Sequence, residues 1–193
     1  MTEPVARVLV SGTTDLVARV AGALRRRDAD VTAVTDLEDM PAVCAAAGPE
    51  AFGAYVQLPS TFTARGDTAI QRVHHFYANG VLARFAALDA AVPSLSRSAR
   101  LTLVMGQLPA EAATPDDREA RQSLSRVLAH AARADRRDGE TAVRFLAAGT
   151  APDDVAYVAL GGDFARRQLM DRLAELPYAD WRVELLGLAT MET

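Results

Sequence analysis

Short apolar runs alternate with longer amphipathic stretches along the first 160 residues. Arg7 to Gly12 is an apolar run ending in Ser-Gly, the pattern of a buried strand. Thr13 and Thr14 can cap the helix after it, where Leu16, Val17, Val20, Ala21 and Leu24 recur at helical spacing up to about Arg27. Val31 to Thr35 is a second β-branched run, ending at Asp36. Strand, turn, helix and strand in this order open a parallel, doubly wound sheet. Leu37 to Ala47 reads as a short helix stopped by Gly48-Pro49, and Ala54 to Leu58 as a third strand halted by Pro59. Ser60 to Gly66 is a loop. Asp67 to about Ala91 is one long helix, which Gly80 weakens without breaking, and Pro93 to Ser98 is a turn.

The second half continues the alternation. Arg100 to Met105 is the fourth strand, Gly106 to Asp116 a polar connection, and Asp117 to about Arg136 another helix. Ala142 to Ala147 is the fifth strand, followed by the turn Gly149-Thr150-Ala151-Pro152. Periodicity leaves Asp153 to Leu160 open between a helix and a short strand. Phe164 to Leu176 is a helix with Asp163 as N-cap, and Trp181 to Leu186 a last strand. About six strands are therefore expected, in a single domain over 1–193.

Composition excludes several functions. The net charge is −4, so nothing draws the chain to a phosphate backbone, and no nucleic-acid partner is expected. The Arg25-Arg26-Arg27 run is read as complementing a helix dipole. Cys44 is the lone cysteine, which leaves no intrachain disulfide or thiolate cluster. No charged n-region precedes an apolar run after Met1-Thr2-Glu3-Pro4, and no stretch reaches the ~20 apolar residues of a membrane span. A cytoplasmic location with no membrane partner is the expectation. All 21 basic residues are arginine; the chain contains no lysine. That excludes Schiff-base chemistry, the phosphate-loop lysine and any lysine acid or base. The Arg- and Ala-rich usage is that of a GC-rich bacterial genome.

Three phrases carry a family resemblance. Val8-Leu9-Val10-Ser11-Gly12, the stretch Ala99 to Gly106, and Ala142 through Thr150 resemble, in order and spacing, the first strand and glycine turn, the serine-bearing strand and the later Pro-Gly turn of the short-chain dehydrogenase/reductase family. Asp153-Asp154-Val155-Ala156 is similar to the family's next phrase. The likeness covers roughly Arg7 to Asp154. It implies a Rossmann-like α/β fold: a doubly wound, mostly parallel sheet with helices on both faces. It also implies NAD or NADP as the family's cofactor, and a dimer formed through the helices at Asp67–Ala91 and Asp117–Arg136.

The departures concern the family's chemistry. Of its three glycines only Gly12 is kept; the others fall on Leu16 and Ala18. A leucine there puts a side chain where backbone N–H groups would meet a pyrophosphate. Asp36, 24 positions after Gly12, could take ribose hydroxyls, or be an ordinary strand-end or helix-capping Asp. Gly12 and Asp36 are the candidate cofactor-binding residues. The Asn-Asn-Ala-Gly phrase is replaced by Leu58-Pro59-Ser60-Thr61. The catalytic Ser, Tyr and Lys positions fall on Gly106, Glu119 and Ser123, and no tyrosine lies between Tyr77 and Tyr157. No catalytic residue and no cofactor is therefore assigned. One strand–helix unit is skipped after Asp36.

His74-His75 and His130 match no metal motif, because adjacent helical residues point about 100° apart. Ser11, Ser123 and Ser125 lack a Gly-x-Ser-x-Gly elbow. Gly161-Gly162 reads as a turn. The expectation is a pseudoenzyme: a non-catalytic subunit that oligomerises with itself or with an active reductase paralogue, in fatty-acid or polyketide-type metabolism. The alternative is a divergent NAD(P)-dependent oxidoreductase acting on a carbonyl or hydroxyl substrate with Glu119 as acid. A small-ligand sensor or acyl-binding module is a third option.

Overall fold

A computed structural model describes residues 6–60, 65–104, 143–147 and 149–163. The chain falls into two compact units, Met1–Gly161 and Gly162–Thr193, and all the described strands and helices belong to the first. Among the described residues, five parallel strands form one sheet in the order β2-β1-β3-β4-β5: β1 Arg7–Ser11, β2 Asp30–Val34, β3 Phe52–Gln57, β4 Leu95–Val104 and β5 Val143–Leu146; the expected last strand, Trp181–Leu186, lies outside the described residues. Between β2 and β3 stand only a 3₁₀ turn, Leu37–Asp39, and the short helix α2, Met40–Ala47. The strand–helix unit expected to be missing is missing, and β2 is an edge of the described sheet.

Alternation along the strands sorts the core into two halves. Leu9, Tyr55, Leu101, Leu103 and Val143 point to one face, where Met40 and Cys44 of α2 and Ala87, Leu88 and Ala91 of α4 (Leu82–Ala91) cover them. Val8, Val10, Ala54, Val56, Thr102 and Val104 point to the other. There the cover is α1, Leu16–Arg25, with buried Val17, Val20, Ala21 and Leu24, packed beside α5, Pro152–Ala159, with buried Val155, Ala156, Val158 and Ala159. Helices lie on both faces, as a doubly wound sheet requires.

Local chemistry sets the element ends. Helix α1 stops where Asp28 takes φ 59°, and the Arg27 and Ala29 N–H groups close back on the Leu24 carbonyl. The open choice at Asp153–Leu160 is settled as helix: Pro152 opens α5, and Asp153 and Asp154 in its first turn suit the positive end of the dipole. The basic triplet does more than complement a dipole. Arg27 donates to the Ala23 carbonyl in the last turn of α1, and Arg26 and Arg27 both reach Asp153, at 3.3 and 2.9 Å.

Two stretches differ from expectation. Pro93–Ser98 is not one turn. A 3₁₀ turn covers Val92–Ser94, and β4 already begins at Leu95, which pairs with Phe52. The next regular pair is Ala54 with Arg100, so Ser96 to Ala99 stand opposite Gly53 alone. The irregularity lets Arg97 and Ser98 stay in water while Leu95 and Ala99 are buried. The long helix is also not uniform. It comprises α3, Ala69–His75, a π-helical stretch, Phe76–Val81, and α4. The wider turn holds Gly80, whose weak helical preference makes it a natural place for such a bulge. A capping box starts α3: the Gln71 side chain accepts from the N–H groups of Asp67 and Thr68, and the Gln71 N–H donates to the Thr68 hydroxyl.

Candidate functional site

In an open parallel sheet, ligands settle at the carboxyl ends of the strands, where the strand order reverses. Here that point lies between β1 and β3. Two neighbouring groups of residues occupy it: the turn Gly12–Asp15 leading into α1, and a polar chain beneath it on the α4 face.

Gly12 sits where β1 closes against the end of β3. A side-chain carbon at this position would lie 2.9 Å from Cβ of Leu58, and 3.1 Å from both the Pro59 carbonyl oxygen and Cγ2 of Val17. Close packing therefore demands glycine here whatever the ligand. The Gly12 N–H donates to Val34 O and the Leu58 N–H to Ser11 O, tying the ends of β1, β2 and β3 together. Leu16 opens α1 and is half-buried, and Ala18 is exposed. The buried Thr14 Oγ1 has no hydrogen-bond partner, and neither threonine holds the N-cap position. Asp15 holds the N-cap position, yet its side chain makes no capping hydrogen bond. Sequence patterns do not single out Asp15; its only signal is a carboxylate directly before the first apolar residue of the helix.

Asp36 is exposed at the end of β2. Its Oδ1 accepts from the Glu38 N–H at 3.0 Å, capping the 3₁₀ turn. Of its two possible roles, the capping one is thus present. Gly106, Glu119, Ser123, Ser125 and His130 lie outside the described residues.

Beneath the turn runs a chain of buried polar groups. Ser11 Oγ lies 2.7 Å from Tyr55 Oη. Gln57 Nε2 donates to the Arg84 carbonyl at 2.8 Å and, more weakly, to Tyr55 Oη at 3.4 Å. Arg84 of α4 donates from Nε to Gln57 Oε1 at 3.1 Å and from Nη2 to the Val104 carbonyl at 3.2 Å. The chain links the ends of β1, β3 and β4 to α4. Its sequence signals, missed in reading the motifs, are Gln57 closing an apolar strand and Arg84 inside an apolar helical stripe. Burial holds the Tyr55 hydroxyl neutral, pushing its pKa up to about 12 against the smaller opposing pull of its Ser11 hydrogen bond. It is a poor proton donor at neutral pH. Ser11, a nucleophile by residue type, is the far end of this chain and has no base beside it among the described residues.

The remaining candidates stay apart. His74 is exposed, and Nδ1 of His75 accepts from the Arg65 N–H at 3.2 Å. No group of three metal-ligating side chains occurs among the described residues. Gly161 turns the chain at φ 98°, under the Arg100 guanidinium. The Cys44 thiol is buried and desolvation raises its pKa, so it is not a ready nucleophile. Among the described residues no helix is long and apolar enough to cross a membrane.

No protein-family model and no curated protein matches the sequence. Solved structures do match the fold. A candidate short-chain alcohol dehydrogenase from Burkholderia multivorans superposes with a TM-score of 0.57 at 12% identity, covering 80% of this chain and 90% of that one. A small-chain dehydrogenase gives 0.56 at 16% identity, with 80% and 88% covered. The protein lin1944 from Listeria innocua gives 0.50 at 12%, with 79% and 91% covered. The likeness is one of architecture, and on that architecture the chain has the Rossmann-like fold of the short-chain dehydrogenases.

Proposed function

We propose that this chain is a non-catalytic dehydrogenase-like subunit that works by pairing, with itself or with an active reductase. Its surface is the observation that carries the reading. The large hydrophobic side chains exposed among the described residues are Ile70, Tyr77 and Leu82, at 83%, 45% and 58%, and all three stand on the long helical stretch Ala69–Ala91. Ile70 and Tyr77 are two α-turns apart. Tyr77 and Leu82 are separated by about one π-turn, so the bulge keeps the three along one stripe. Large apolar side chains exposed along one surface helix favour a contact surface there.

The chemistry left in the chain supports the same reading. A reductase of the Ser-Tyr-Lys type needs a lysine to lower the pKa of its tyrosine, and this chain has none. Of its tyrosines, Tyr55 is locked in the buried polar chain. Sedimentation equilibrium tests the proposal directly. A particle of twice 20.6 kDa, or a stable complex with a co-expressed reductase, is expected. A monomer at 100 µM that captures no reductase from its native host overturns it.

The names of the fold neighbours favour a second reading, a divergent NAD(P)-dependent oxidoreductase. That reading requires micromolar binding of NADH or NADPH, measurable by fluorescence titration.

A further inference from the structure

We infer that Asp15 and Leu16 turn the start of α1 from a phosphate-attracting position into a phosphate-rejecting one, and so set which ligand class the switch-point crevice excludes: nucleotides and other phosphate esters. The inference rests on the non-catalytic subunit reading. The ten-residue helix α1 begins at the carboxyl end of β1, at the reversal of strand order. Such a helix start offers free N–H groups and the positive end of the dipole, which together favour an anion.

In this chain a negative charge already stands beside that helix start. Asp15 places a carboxylate at the N-cap, and no side-chain capping bond gives it a competing local task. Asp15 takes part in none of the ion pairs that Arg7, Arg26, Arg27 and Arg97 form. Its exposed carboxylate, with Arg19 one turn further along the same helix and no ion-pair contact between them, disfavours a second anion at the start of α1. Leu16, the next residue, is half-buried and adds a branched side chain to the first turn, where a glycine would leave the backbone bare. Both obstacles act on the same few ångströms of backbone: one by charge, the other by volume. Gly12 imposes neither, because the packing of Leu58 and Pro59 accounts for its glycine.

Full-length wild type, Asp15→Ser and Asp15→Ser/Leu16→Gly are to be titrated with ADP and with NADH by calorimetry. The wild type is expected to show no binding below 1 mM. The single variant should gain weak ADP affinity that vanishes at high salt, and the double variant a gain of about tenfold or more over the single one, as expected for removing a charge and then a steric block. A folded double variant as silent as the wild type overturns the inference while leaving the subunit reading intact. Should the double variant fail to fold, the single variant decides alone: salt-sensitive ADP binding supports the inference and silence overturns it. Tight NADH binding by the wild type overturns both.

Discussion

The two faces of the sheet are built on different principles. The face under α1 and α5 is packed with small and medium apolar side chains: Val8, Val10, Ala54 and Val56 against Val17, Val20, Leu24 and Val155. Its one buried strand hydroxyl, Thr102 Oγ1, has no hydrogen-bond partner. Its rim is closed by the exposed pairs of Arg26 and Arg27 with Asp153. The face under α2 and α4 also has an apolar centre. At its carboxyl end, however, four polar side chains, Ser11, Tyr55, Gln57 and Arg84, are joined in one chain. The apolar face is held chiefly by packed area. The polar chain fixes α4 to the ends of three strands at defined points, because each bond lost there strands a buried group. The helix held in that way is part of the stretch that displays Ile70, Tyr77 and Leu82.

Deleting volume should cost both faces most, and about equally. Leu24→Ala on one and Leu101→Ala on the other should each lower stability by about 2–5 kcal/mol in urea unfolding. A cost below ~1 kcal/mol for Leu24→Ala would mean that the apolar face is not sealed.

Alkali should single out the polar face. The folded-state pKa of Tyr55 is raised above the ordinary value of 10.0 to about 12. Its contribution is thus fully present below pH 10 and is lost as pH climbs from there to 12, on the order of 2–3 kcal/mol. Tyrosinate absorbance should then rise together with unfolding; ionisation of every tyrosine in a still-folded chain would contradict the buried chain.

Hydroxyl removal sharpens the contrast. Tyr55→Phe leaves Ser11 and Gln57 short of a partner and should cost about 1–3 kcal/mol, whereas Thr102→Val should be neutral or slightly stabilising. Equal losses from the two changes would erase the distinction between the faces.

The smallest effect belongs to the rim. Hydrogen bonding from Arg27, then from Arg26, holds the Asp153 carboxyl below its ordinary value of 3.8. A depressed carboxylate stabilises above its unfolded pKa, and that help fades as pH falls below about 4. In so exposed a position, Asp153→Asn should change Tm only slightly at pH 7, and the gap between variant and wild type should shrink towards pH 3.

Much of the scaffold was legible from residues alone. The β-branched and apolar runs at Val8–Val10, Val31–Val34 and Leu101–Val104 read as strands of a parallel sheet, although Val31–Val34 proved to be a half-exposed edge, and the short interval from Asp36 to Ala54 announced the missing unit. The site was less legible. Gly12 resembles a phosphate-binding glycine, but its need for glycine comes from Leu58 and Pro59, which are remote in sequence. Asp15 is inconspicuous because a carboxylate before a helix is ordinary; only the sheet order shows that it stands at a ligand position.

Periodicity and turn chemistry are local, so the sequence by itself determined most of the strand and helix segments and which chemistry the chain lacks, lysine above all. It did not determine that β4 starts at Leu95, that the long helix widens at Phe76–Val81, or that Ser11, Tyr55, Gln57 and Arg84 meet. Those outcomes depend on register and on contacts between residues 27 to 44 positions apart. Such contacts form only when strand pairing has brought the ends of β1, β3 and β4 side by side, and no local pattern encodes that meeting.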